Sequence, residues 1–151
     1  MSWYNLLLFV HVMAAMAWVG GGLMLSLMAS RVRGSDTRTA DFAGVLPYVG
    51  LRVLMPAVIL VLVTGVAMVL VDSAWSFGQL WVLMALALFA IAFLVGAIYL
   101  SRIGIAMDRA AAPGGPVSAL PSLLNRWLAG YIVVLAVLLV AVADMVFKPG
   151  T

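Results

Sequence analysis

The sequence predicts an all-α integral membrane protein, a four-transmembrane-helix up-down bundle with both termini outside (N-out/C-out). Three observations predict it. Hydrophobic residues make up 67% of the 151 residues and charged ones only 9%, with a mean hydropathy of +1.26. A soluble domain carries about 25% charged residues and has no way to hide this much apolar surface. The apolar residues fall in four long runs, each close to the ~20 residues that cross a ~30 Å hydrocarbon core as a helix; a membrane barrel would alternate instead. Seven of the eight basic residues flank two loops, and basic loops stay in the cytoplasm. A chain of this length reads as one membrane domain, 1–151.

Span 1 is expected at about 3–30. Trp3 and Tyr4 at its start suit the membrane interface, where amphipathic rings collect. MSWYN lacks the positive region of a cleavable signal, so the first span is read as staying in the protein. Arg31, Arg33 and Gly34 end it. The segment Gly34 to Gly50 is polar, then mildly amphipathic through Phe42, Val45, Leu46 and Tyr48, and predicts a short interfacial helix. Span 2 is expected at about 52–71, with Pro56 in an early turn, where its missing N–H matters least. The link 72–78, DSAWSFG, is short and aromatic. Span 3 follows at about 79–100, its end marked by Ser101 and Arg102, with a short helical continuation expected through Arg109. The segment 111–121, AAPGGPVSALP, is punctuated by proline and glycine and predicts no regular structure. Span 4 is expected at about 123–147, and Lys148-Pro149-Gly150 follows it. Val19-Gly20 and Val95-Gly96 hint at a duplication of the two hairpins, against the background of chance likeness between apolar helices.

Orientation follows from the arginines. Arg31, Arg33, Arg38 and Arg52 flank the first long loop, Arg102, Arg109 and Arg126 the second, and only Lys148 lies on the other side. The net charge of +3 therefore reports topology, not nucleic-acid binding. With no cysteine, disulfides and thiolate metal sites are excluded. No Walker loop, dinucleotide fingerprint, HExxH or serine elbow is present, so no catalytic motif selects a reaction.

The chemistry that remains centres on the single histidine, His11, about 8 residues or ~12 Å of helix rise from the outer end of span 1. An ionisable side chain at that depth is costly and marks a functional site by default. A neutral imidazole there can ligate haem iron or copper, or relay a proton; equally, it can serve as an interhelical hydrogen-bond donor. His11, Ala14, Ala15, Trp18 and Gly22 share one helix stripe. Its small residues would admit either a partner helix or a flat cofactor, and Gly65 and Gly96 read the same way. Met13, Met16, Met55, Met68, Met84 and Met145 offer soft sulfur but also ordinary apolar filling. Asp144 stands one turn before Lys148 and can pair with it, or can orient the His11 imidazole as carboxylates do at metal sites. Thr64 is expected to bond a backbone carbonyl of its own helix. The site residues singled out are thus His11 as metal ligand, with Trp18 and Asp144 beside it in cofactor binding.

The stretches LLLFVHVMAAMAWVGGGLML, VTGVAMVL…WSFGQLWV and ADMVFKP together resemble the domain-of-unknown-function family 2269 of predicted bacterial integral membrane proteins, over nearly the whole chain. More remotely, H-x-x-A-x-x-x-W-x-G at His11, Ala14, Trp18 and Gly20 is similar to the start of copper-resistance D and protoporphyrinogen-oxidase J type membrane proteins. That resemblance implies a haem link for His11 alone, since the further histidines of such proteins are absent here.

Three function classes follow. The first is a haem- or copper-handling protein of the bacterial inner membrane, with His11 as ligand. The second is an accessory or assembly subunit, docking on a larger membrane complex or on its own copy as a homo-oligomer through the glycine seams. The third is a small transporter, disfavoured because no span breaks at mid-depth.

Overall fold

The computed structural model describes residues 2–150. Among them every regular element is helical. Helix α1 (Trp3–Val32) begins at Ser2, whose hydroxyl accepts from the Asn5 N–H at 3.2 Å, a side-chain N-cap. Gly34, at φ +83°, turns the chain into α2 (Asp36–Val49). Helix α3 (Met55–Val71) follows, then α4 (Leu80–Leu94), α5 (Ser101–Ala111) and α6 (Leu120–Phe147). Four continuous helical stretches are long and apolar enough to cross a membrane: 3–32, 36–71, 80–111 and 117–147.

One of these stretches corrects the sequence reading. The segment before span 2 is not a separate interfacial helix, because α2 runs into α3 through a π-helical turn at Gly50–Leu54. Pro56 has no N–H to offer the Arg52 carbonyl, and the ladder widens just before it: the Met55 N–H bonds the Gly50 carbonyl, five residues back. Span 3 continues past Arg109 as expected, running into α5 through a π-helical turn at Val95–Leu100. There the Ser101 hydroxyl donates to the Ala97 carbonyl at 2.5 Å. It takes the acceptor that its own N–H would use, and that N–H reaches Gly96 instead. The segment 111–121 also holds more order than expected, with a short 3₁₀ turn at Val117–Ala119 and α6 starting at Leu120.

Helices of 36 and 32 residues span ~54 and ~48 Å at 1.5 Å per residue, more than the ~30 Å hydrocarbon core. The excess lies at the arginine-rich end, where α2 packs on α5 and both meet α6. Phe42, Met107, Leu120, Leu124 and Trp127 are buried there. Arg33 ties this end together by donating from Nε and Nη2 to the Asn125 side-chain oxygen, at 2.9 and 2.6 Å.

Within the membrane, α1 packs on α3 and on α6, and α6 on α4. The lateral order is therefore α3–α1–α6–α4, with α3 and α4 at the flanks and in no substantial contact. Spans 1 and 3 are not equivalent in this arrangement: one is central and the other peripheral. Gly22 and Gly130 explain the close approaches. A Cβ on Gly22 would stand 2.8 Å from the Tyr131 Oη, and one on Gly130 within 2.9 Å of Leu100, so small residues set these helix pairs.

Candidate functional site

Leaving aside tryptophan and tyrosine, five polar side chains are buried among the described residues: His11, Ser26, Thr39, Thr64 and Asp144. Ser26 and Thr39 satisfy themselves locally, donating to the Gly22 carbonyl at 2.9 Å and the Val32 carbonyl at 3.3 Å. The other three come from three different helices and lie in the half of the bundle away from the arginines.

His11 is 6% exposed, and its Nδ1 lies 3.0 Å from the Thr64 Oγ1. Thr64 bonds its own helix as expected, its hydroxyl 2.5 Å from the Leu60 carbonyl oxygen. Two oxygens that close require the hydroxyl hydrogen between them. Thr64 therefore donates to Leu60 and accepts from His11, and the imidazole carries its proton on Nδ1. Nε2 is then the bare nitrogen; the Val61 backbone also hydrogen-bonds the ring. Gly65 makes room for this ring: a Cβ there would sit 3.2 Å from His11 Cε1. The sequence reading missed the pairing of His11 with Thr64. Its signal was the adjacent Thr64-Gly65, a hydroxyl beside a notch, in an otherwise uniformly aliphatic span.

Asp144 is 5% exposed, and neither carboxylate oxygen has a hydrogen-bond partner among the described residues. The side-chain pairing with Lys148 suggested by spacing does not form. The α6 helix stops at Phe147, Lys148 turns left-handed at φ 43°, and its ammonium sits 3.8 Å from the centre of the Trp75 ring. That ring meets Trp81 edge to face, with centroids 5.1 Å apart.

Trp18 is buried with His11, Ala14 and Gly22 on one α1 stripe, but it serves another feature. It packs edge to face on Phe89, 5.7 Å between centroids, and lines a cleft of about 370 Å³ between α3 and α4. His11 and Asp144 do not line that cleft. Of the methionines, Met13, Met16, Met55 and Met84 are exposed on the outside of the bundle, as lipid-facing filler would be. Met68, half-buried one turn beyond Thr64, is the soft donor nearest His11 along α3. No group of three or more His, Cys, Asp or Glu that could hold a metal occurs among the described residues.

No curated protein and no solved structure matches the chain. One family model does, over residues 5–149. The chain belongs to the family DUF2269, predicted integral membrane proteins.

Proposed function

We propose that the protein handles copper within the bilayer, taking a single ion on His11 Nε2 with the Asp144 carboxylate as second donor. The observation that carries this reading is the His11–Thr64 hydrogen bond. Ligating histidines characteristically donate their other ring N–H to a fixed acceptor, which locks the tautomer and aims the lone pair. Thr64 supplies that acceptor here.

Asp144 supports the same reading. A buried carboxylate without a partner costs several kcal/mol unless a cation compensates it. It stands on α6, which packs against α1. The approach of Tyr131 to Gly22 sets an antiparallel register in which Asp144 falls level with Phe9, about two residues or ~3 Å beyond His11. Side chains lean toward the N-terminus of their own helix. In an antiparallel pair this inclines the imidazole and the carboxylate toward each other.

Two protein donors make an exchangeable site rather than a closed structural one. Copper suits this best, since as Cu(II) it heads the affinity order of divalent ions for nitrogen and oxygen donors and as Cu(I) it accepts imidazole together with soft ligands such as Met68. A haem on Nε2 would need an open flank for its macrocycle, and a ring 6% exposed offers little. The helical bundle with basic loops on one side fits a bacterial inner membrane.

The test is competition of the detergent-purified protein with a chromophoric Cu(I) chelator. One ion per chain is expected, and His11→Ala should abolish its retention. Equal retention by both proteins overturns the assignment. A Soret band lost in His11→Ala would place haem there instead.

A further inference from the structure

The cleft between α3 and α4 has a chemistry of its own, and it shares no residue with His11, Thr64 or Asp144. We infer that it is a binding site for a membrane quinone, entered laterally from the bilayer. Three features select that class of molecule.

The first is the set of donors. Trp18, Trp127 and Tyr131 all line the cleft, and they are 5%, 3% and 5% exposed. The two indole N–H groups and the phenol hydroxyl find no acceptor among the described residues. They are not among the polar atoms sealed away without a partner, which are Trp81 Nε1 and the two Asp144 oxygens, and all three residues border the cleft. Buried donors without acceptors call for a ligand that brings acceptors.

The second is the absence of charge. No Asp, Glu, Lys, Arg or His lines the cleft, and its one aliphatic hydroxyl, Ser101, is engaged with Ala97. A phosphate or carboxylate head would be buried without a cation there. Neutral carbonyl oxygens meet the donors without that penalty, and aromatic side chains in the lining, Trp18, Trp127 and Phe93, suit a flat ring.

The third is the glycines. Gly50, Gly96 and Gly104 line the cleft, and a Cβ added at any of them would meet no atom within 4 Å. This contrasts with Gly22 and Gly130, which helix packing requires to be small. Nothing within the chain uses the room that these three glycines leave. A volume of about 370 Å³ is at the small end for ligand sites, enough for a ring head with its tail trailing out between the helices into lipid.

The experiment is a titration of the whole protein in phosphatidylglycerol nanodiscs with a short-tailed decyl benzoquinone, read by tryptophan quenching. Saturable 1:1 quenching is expected above the linear background of quinone dissolved in the bilayer. Gly96→Leu, which fills the cleft, should remove the saturable part, and Tyr131→Phe should weaken binding about tenfold by deleting one donor. Linear quenching alone, equal in wild type and Gly96→Leu, overturns the assignment. So does a dimer that Gly96→Leu dissolves while no quinone binds, because the cleft would then belong to a second copy. Should Gly96→Leu fail to fold, Tyr131→Phe decides, and an unchanged affinity rejects the site.

Discussion

The imidazole of His11 on α1 donates to the hydroxyl of Thr64 on α3 across 3.0 Å, and the Thr64 hydroxyl donates in turn to the Leu60 carbonyl. This chain of two bonds joins the first two spans and fixes which ring nitrogen is bare. It is both a structural link and the basis of the proposed metal chemistry, and the two roles respond differently to substitution.

Thr64→Val keeps the shape and removes the acceptor. The loss of one interhelical bond is expected to lower stability by only about 1 kcal/mol. The ring is then free to turn, and Cu(I) affinity should fall by about 10–100-fold. Thermal unfolding in detergent and chelator competition measure the two effects separately.

Asp144→Leu should act in opposite directions on the metal-free and loaded proteins. Removing a buried carboxylate whose oxygens have no partner is expected to raise the stability of the metal-free protein by about 1–3 kcal/mol. The same substitution should eliminate the increase in melting temperature that Cu(I) gives the wild type. Melting curves with and without Cu(I) show both.

The run Gly20 to Gly22 separates packing from mere permissiveness. Gly22→Ala drives a Cβ to 2.8 Å from the Tyr131 Oη, and displacing that ring should destabilise the bundle by about 1–2 kcal/mol. Gly20→Ala meets nothing within 4 Å and should be neutral or slightly stabilising, since alanine is the better helix former. Unfolding of the two single variants under one set of conditions makes the comparison.

Orientation is open to a clean labelling test because the chain has no cysteine. Ser76→Cys lies in the link at the His11 end and Ser118→Cys in the loop at the arginine-rich end, both at exposed positions. A membrane-impermeant maleimide added to intact cells should label Ser76→Cys at once, and Ser118→Cys only after permeabilisation. The reverse pattern inverts the topology.

The four crossings were legible because uniform apolarity and arginine placement are properties of the chain itself. Their lateral order was not. Every span is apolar all round, so no polar face indicated that α1 and α6 are central and that α3 and α4 stand apart. The continuity of α2 with α3 was hidden for a related reason: Arg52 and Pro56 look like a helix start, whereas a π-helical turn carries the helix past them. At the site, His11 stood out as the one imidazole in an apolar run, but its partner is 53 residues away in sequence, on a residue whose local bond to Leu60 already explained it. Asp144 misled in the opposite way. The i,i+4 rule offered Lys148, but that rule holds only while the helix continues, and α6 ends at Phe147. Trp18 was correctly placed on the buried stripe with His11, yet two turns of helix carry it to a different cavity.

The most direct test of the central claim uses the single histidine as its own reporter. In protein labelled with ¹⁵N-histidine, ring nitrogen spectra contain one imidazole. The account predicts a protonated Nδ1 and a bare Nε2, with the Nε2 resonance alone moving strongly when Ag(I), a diamagnetic stand-in for Cu(I), is added. A proton on Nε2, or a ring spectrum indifferent to the metal, would contradict it.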